Sequence, residues 1–397
     1  MNPDIPERPT PPSPPAMKVV HLTSAHPVFD ARIFQRECRS LARLGYEVVL
    51  IAPHQCDEIV DGVDIRHVQP HPNRLLRMTS TTLGVYRRAL REKADVYHFH
   101  DPELILAGLL LRMAGRRVIY DIHEDLPRTI AGKFYFPGWC RPSIKWAAES
   151  LENLACRSFS GLVAATPTIA ERFYRVNSRT TVVCNFPVLD DMPTPAVRWE
   201  DRQMSVAYIG NITVERGIVE LVKALSLLPA DSPARLLLAG KFWPESLHQQ
   251  LAQLRGWGRV DYVGLVSPKK IPSLLARVRA GLVVLAPQEN YLRSMPIKLF
   301  EYMAAGIPVI ASNFPFWRQI VEGAQCGVLV DPTNPPAIAQ AICSLLTSPE
   351  RAQEMGRRGR KAAELTFNWK NQEPRLRALY DGRTDTTPLV IGVRAAA

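Results

Sequence analysis

From Lys18 onward, short runs of β-branched and other apolar residues alternate with longer stretches in which apolar positions recur every three or four residues. A run buried on both faces is what a parallel strand requires, and the helical period between runs supplies the crossovers, so the pattern predicts βα units. KVVHL (18–22), YEVVLIAP (46–53), VDIRHV (63–68), DVYHFH (95–100), RRVIYD (116–121), GLVAAT (161–166) and TTVVCN (180–185) form a first set of strands. A helix is expected from Arg32 to Leu44, closed by Gly45 as a helix C-terminus prefers. The second set is SVAYIG (205–210), ARLLLAG (234–240), RVDYVG (259–264), AGLVVLAP (280–287), IPVIAS (307–312) and GVLVD (327–331).

Between the two sets the rhythm stops. Residues 186–203 hold three prolines and four acidic residues without an apolar period, which predicts an exposed linker. The reading is α/β throughout, with a Pro-rich leader at 1–16, a Rossmann-like domain at 17–185, the linker, and a second Rossmann-like domain at 204–367. A helix over 368–381 crosses back to the first domain, and 382–397 is a tail. Open α/β sheets bind ligands beyond the carboxyl ends of their strands, so the residues just after each strand, facing a cleft between the domains, are the candidates for chemistry.

Composition narrows the class. A chain of 397 residues exceeds a single core, and 46% hydrophobic with 22% charged residues excludes disordered and fibrous proteins. The longest apolar stretch, Leu104–Leu111, is followed by Arg112, far short of a membrane span. Seven prolines among the first sixteen residues, without an apolar core, read as a disordered leader rather than a secretory signal, with Met17 as the effective start. Seven scattered cysteines without a CxxC pair argue against a disulfide framework or a zinc module and for a reducing cytoplasm. The net charge of +11 divides into +4 over residues 1–198 and +7 over the rest, and residues 72–93 carry six Arg or Lys against one Glu. That run suits an anionic membrane surface, a phosphorylated ligand or nucleic acid, or is a solvated helix face; it carries no nucleic-acid motif.

The most informative stretch is SMPIKLFEYMAAGIPVIASN (294–313), a helical segment with Lys298 and Glu301 running into Gly306, Pro308 and a strand. A helix N-terminus near Pro296 offers amides and a positive dipole end to a diphosphate, Lys298 adds charge, and Glu301 faces the same side one turn on. The alternative is a surface ion pair. This string resembles the donor-binding signature of the retaining glycosyltransferases of GT-B fold, family 4, in the subgroup that reads PxKLFEYMA. The resemblance implies that Leu299 also lines the donor and that Glu301 holds ribose hydroxyls. The family often has a further glutamate eight positions before Glu301; here that position is Arg293, with Glu289 as a substitute only if the loop is longer.

After the second set's first strand comes YIGNITVERGIVELVKAL (208–225). The resemblance implies Gly210 at the donor, with Asn211 where relatives carry a first cation and Arg216 as the second, a fixed fork suited to a leaving diphosphate. VIYDIHEDLP (118–127) places His123 and Glu124 at a strand end; the resemblance puts His123 near the transferred sugar and Glu124 toward the acceptor. HLTSAHPVFDAR (21–32) offers Ser24, His26, Asp30 and Arg32, where the resemblance implies acceptor contacts, or Asp30 is a helix cap and Arg32 a solvated side chain. It lacks the Gly-rich loop of a dinucleotide enzyme. His98 and His100 alternate on one strand face ahead of Asp101 and Glu103, a superficially metal-like set, although the family generally uses no ion. The segment GKFYFPGWCRPSIKW (132–146) interleaves aromatics with cations and suits a membrane interface, an acceptor cover or core packing.

The expected function is therefore metal-independent, retaining transfer of a hexosyl group from a UDP- or GDP-sugar to a hydroxyl acceptor, for a surface polysaccharide or a lipid-linked glycan. His123, Arg216 and Lys298 would carry the chemistry, without the paired carboxylates of a glycosidase. A cytoplasmic protein with peripheral attachment at the inner membrane face is expected. The alternatives are a non-catalytic nucleotide-sugar-binding or partner subunit of the same fold, and a nucleotide-sugar epimerase.

Overall fold

The computed structural model describes residues 17–71, 73, 76–124, 141–193 and 197–383. The leader, Arg74, Asp125, Phe134, Trp139 and the tail beyond Arg383 lie outside the described residues, so the expectations placed on them are not pursued. By its internal contacts the chain divides into two compact units: one runs to Asp121 and includes Ser158–Gly161, the other holds Ile122–Arg157 and the chain from Leu162 onward.

The first sheet contains β1 (Lys18–Leu22), β2 (Glu47–Pro53), β3 (Glu58–Val60), β4 (Val63–Val68), β5 (Val96–Phe99), β6 (Arg117–Ile122), β7 (Gly161–Ala164) and β8 (Thr180–Val182), in the order β3-β4-β2-β1-β5-β6-β7-β8. The central strands are apolar because both faces are covered: Val19, Val20, Val49, Leu50, Val96 and Phe99 are fully buried. β3 was not foreseen. It is a three-residue edge strand antiparallel to β4, joined through Asp61 and Gly62, both at positive φ. The helix after β1 starts as a π-helical segment, Ile33–Cys38, continues as α1 (Arg39–Arg43) and ends at Gly45 with φ +88°, as expected. Further on come α2 (Thr82–Glu92) and α3 (Ile105–Met113).

The second sheet is parallel throughout: β9 (Ser205–Ile209), β10 (Arg235–Ala239), β11 (Val260–Tyr262), β12 (Ala280–Val283), β13 (Val309–Ser312) and β14 (Gly327–Val330), in the order β11-β10-β9-β12-β13-β14. The strand order reverses between β9 and β12 here and between β1 and β5 in the first sheet, the two places where a doubly wound sheet opens a crevice. α4 (Ile218–Leu225) follows β9, and α5 (Ile297–Ala304) follows β12. The last helix, α6 (Glu373–Tyr380), packs on β8, where Gln372 Oε1 accepts from Cys184 N at 2.9 Å. The predicted linker is less exposed than its composition implied. Met192 and Trp199 are buried, and Arg202 stacks over the Trp199 ring at 4.7 Å, so isolated large side chains anchor a segment that has no period. Among the described residues no helix is long and apolar enough to cross a membrane.

Candidate functional site

In the second unit β9 ends at Ile209 and the chain turns at Gly210 with φ +130°. A Cβ at Gly210 would stand 2.6 Å from Lys298 Cε and 3.0 Å from its Nζ, so glycine lets the lysine lie across the strand end. Lys298 sits in the first turn of α5. Leu299 and Phe300 root that helix in the core, and the Tyr302 hydroxyl accepts from Ile209 N at 3.1 Å, which ties α5 to β9. The lysine as a whole is half-buried, but its ammonium is buried, has no hydrogen-bond partner among the described residues, and lies 3.5 Å from the centre of the Tyr208 ring.

A cation over an aromatic face gains some electrostatic attraction, far less than a desolvated ammonium loses. Burial accordingly pulls the Lys298 pKa well below the usual lysine range, the nearby Arg216 charge adds to that, and Glu301 opposes it. Arg216 closes a 3-10 turn, Val214–Arg216, and is fixed by Gly217, whose φ is +74° and whose place allows no side chain: a Cβ would fall 2.1 Å from Val284 O. Its guanidinium lies beside the Tyr208 hydroxyl, which burial pushes up to about 12 against the pull of that charge. Two cationic side chains thus converge on the end of β9 at the N-terminus of α5.

Glu301 is half-buried one turn beyond Lys298, while Asn211 is exposed and its carbonyl accepts from the Tyr208 hydroxyl at 2.7 Å. The Leu299 side chain is fully buried and its amide donates to Pro296 O at 3.0 Å. Arg293 and Glu289 are both exposed, Glu289 opening the short helix Glu289–Leu292. Tyr208 went unnoticed in the sequence because it reads as one more apolar strand residue.

The expected acceptor residues around the first sheet differ in their surroundings. Asp30 caps the following helical segment, its Oδ1 accepting from Arg32 N at 2.8 Å and Ile33 N at 3.0 Å. Arg32 is neither solvated nor available to an acceptor. It is 3% exposed, with Nε 2.8 Å from Asp121 Oδ2 and a terminal nitrogen 2.9 Å from Oδ1. Asp101 accepts from Thr23 Oγ1 and Ser24 N, and Glu103 from Ser24 Oγ, so neither joins His98 and His100 as the spacing suggested. His123 is half-buried and Glu124 exposed after β6. Arg77 pairs with Glu103 and Arg88 with Asp57, which weakens the basic face of α2 relative to its sequence count.

His26 remains partly exposed, with Nδ1 3.6 Å from Asp30 and Nε2 3.3 Å from Asp101. Burial opposes its charge, but the hydrogen bond to Asp30 and the charge of Asp101 prevail and raise its pKa. The folded pKa is above the unfolded one, so this stabilisation is complete below about pH 6.5 and is lost as pH rises through the folded value. His26→Gln is expected to remove that decline from the melting temperature measured against pH; an unchanged slope would place its source elsewhere.

Two family matches span these units: residues 31–187 match the glycosyl transferase 4-like domain and residues 195–362 match the glycosyl transferases group 1. Over 366 residues the chain is 24% identical to a glycogen synthase of Mycobacterium tuberculosis, covering 83% of this chain and 85% of that one. The fold is similar to a sucrose-phosphate synthase from Thermosynechococcus elongatus, with a TM-score of 0.74, 18% identity and coverage of 92% and 98% of the two chains. It is also similar to Anabaena HepE in complex with UDP-glucose, with a TM-score of 0.69, 16% identity and coverage of 92% and 99%. Two parallel-sheet α/β halves, the paired matches and these likenesses agree: the chain belongs to the group 1 glycosyltransferases of GT-B fold.

Proposed function

We propose that the protein transfers a hexosyl group from a UDP- or GDP-sugar to a hydroxyl acceptor with retention, in the synthesis of a surface polysaccharide or a lipid-linked glycan. The observation that carries the donor side is the Lys298 ammonium, buried without a hydrogen-bond partner over Tyr208 and close to Arg216. A fold does not keep a desolvated, unpaired cation for stability; an anion arriving there relieves both the desolvation and the repulsion from Arg216. A diphosphate fits because the first-turn amides of α5 and the guanidinium of Arg216 offer donors on the same side.

In this reading Arg216 and Lys298 stabilise the charge that gathers on the diphosphate as the glycosidic bond breaks, which is electrostatic catalysis. The departing diphosphate accepts the acceptor's proton on the same face, so the anomeric configuration is kept and no second carboxylate is required. Glu301, half-buried on the same helix, accepts from the ribose hydroxyls, and His123 orients the transferred sugar. No divalent ion is needed at the diphosphate, and added magnesium or manganese is expected to leave turnover unchanged. The half-buried His26 and exposed Glu124 are the acceptor contacts that stay available. For a lipid-linked acceptor, the exposed Arg87 and Arg91 of α2, beside the exposed Leu83 and Leu90, are the side chains that would meet an anionic membrane.

Glu301→Ala tests the donor assignment. Losing a charged acceptor for two hydroxyls costs about 1.5–3 kcal/mol, so UDP or GDP affinity measured by calorimetry is expected to fall about 10- to 100-fold with the melting temperature unchanged. Unaltered nucleotide affinity would overturn the ribose role. Product analysis separates the transferase from its rivals: an epimerase converts the donor without acceptor, and a binding subunit turns over none.

A further inference from the structure

A second group of polar side chains is buried in the first unit, at its own strand reversal. His21 on β1 stands opposite His98 on β5 in the parallel register, and His100 follows two residues later on the same face. The three ring centroids lie 4.7–5.2 Å apart, His100 stacked on both others and His21 tilted against His98, and all three are shielded from solvent. Over them the π-helical segment Ile33–Cys38 lowers Glu37, also fully buried. Among the described residues neither Glu37 oxygen accepts a hydrogen bond from a nitrogen or hydroxyl donor, and the carboxyl group of Asp121 lies beside it. Among the described residues its near cation is the Nε of Arg32 at 3.1 Å, and Arg32 is already bound through two nitrogens to Asp121. Two buried carboxyl groups therefore share a single guanidinium, and a buried carboxylate without hydrogen bonds asks for a further positive partner.

The donor atoms are already gathered. His21 Nδ1 is 3.0 Å from His100 Nε2, and Glu37 Oε2 is 3.8 Å from His21 Nδ1 and 3.9 Å from His98 Nδ1. One ligand atom from each of the four residues can be chosen so that all lie within 4.8 Å of one another. Ligands about 2.0–2.2 Å from a tetrahedral zinc ion stand roughly 3.4 Å apart, which the observed separations bracket. The surroundings also match a metal centre. His100 turns its other nitrogen, Nδ1, to Asp121 Oδ2 at 3.1 Å, and Asp121 is held by Arg32, the carboxylate–histidine arrangement that orients a metal-ligating imidazole.

We propose that His21, His98, His100 and Glu37 hold one divalent transition-metal ion, zinc first among the candidates, as a closed structural site inside the first unit. Three imidazoles and one carboxylate suit zinc, cobalt or nickel better than the oxygen-seeking magnesium or calcium. With four protein ligands and full burial no position is left open for substrate, so the ion braces β1 and β5 against the π-helical segment and takes no part in transfer. The proposal is independent of the donor reading, because the test below measures metal and not turnover.

The full chain is to be produced with zinc or cobalt supplied in turn, exhaustively dialysed against metal-free buffer, and assayed for bound metal by mass spectrometry. About one ion per chain is expected. The cobalt form is expected to show the intense visible bands of four-coordinate cobalt. Glu37→Gln and His98→Gln should lose the ion, and the control His71→Ala should keep it. If either site variant fails to fold, the parent's cobalt spectrum and its melting temperature with and without a chelator decide. Background metal in the parent with no shift on adding zinc, an octahedral cobalt spectrum, or retention of the ion by both site variants would each overturn the proposal.

Discussion

Lys298→Met is expected to lower kcat/KM about 100- to 1000-fold while leaving the protein as stable as the parent, or more so. The opposite signs follow from one observation. The ammonium is buried over Tyr208 without a hydrogen bond, so the ligand-free fold carries its desolvation uncompensated, and burial together with Arg216 holds its pKa low. Methionine keeps the reach and the ring contact of the side chain and removes the charge, which relieves the free protein. The bound diphosphate then loses a cation in a water-poor site, where removal of one such donor typically costs about 2.7–4 kcal/mol of barrier. Urea unfolding beside steady-state kinetics reads both signs. A structural lysine would give the reverse, a clear loss of stability with turnover little changed.

Asp121→Ala is expected to cost about 3–5 kcal/mol of folding stability, since it removes the carboxylate that meets the buried Arg32 guanidinium through two nitrogens and leaves it the Glu37 contact at 3.1 Å. Arg32 meets both Asp121 oxygens at 2.8 and 2.9 Å, and His100 Nδ1 adds a contact at 3.1 Å, all away from solvent. Removing the whole ionic group is a different matter: Arg32→Met and Glu37→Met together with Asp121→Leu should recover most of the loss, because apolar side chains of similar volume carry no desolvation cost. Chemical denaturation of the parent and the two variants checks this. A single-variant loss within about 1 kcal/mol would mean that water reaches the pair and that the first unit does not depend on it.

The strands were legible because burial on both faces of a parallel sheet leaves uninterrupted apolar runs, such as YEVVLIAP and AGLVVLAP, that no surface helix would tolerate. β3 escaped notice since a three-residue edge strand needs no apolar core; only Asp61–Gly62 hinted at the hairpin. Around the end of β9, Lys298, Glu301 and Arg216 could be picked out from a contiguous motif and a strand-turn-helix pattern. Tyr208, which carries the lysine, could not, because its partner lies 90 residues away in sequence. Arg32 was misplaced for a related reason. A charged residue at a helix start normally faces water, and only the three-dimensional approach of β6 brings it the buried carboxylate of Asp121. The same holds for Glu37, which reads as a surface residue of an amphipathic helix until the π-helical winding turns it inward.

Calorimetric titration of the parent and Arg216→Gln with UDP, UMP, GDP and GMP tests most directly whether the second unit grips a nucleoside diphosphate through Lys298 and Arg216. One of the diphosphates is expected to bind the parent about 10- to 100-fold more tightly than its monophosphate, the worth of one charged hydrogen bond, with most of that preference lost in Arg216→Gln. Equal affinity for diphosphate and monophosphate, or a preference that survives the substitution, would contradict the claim.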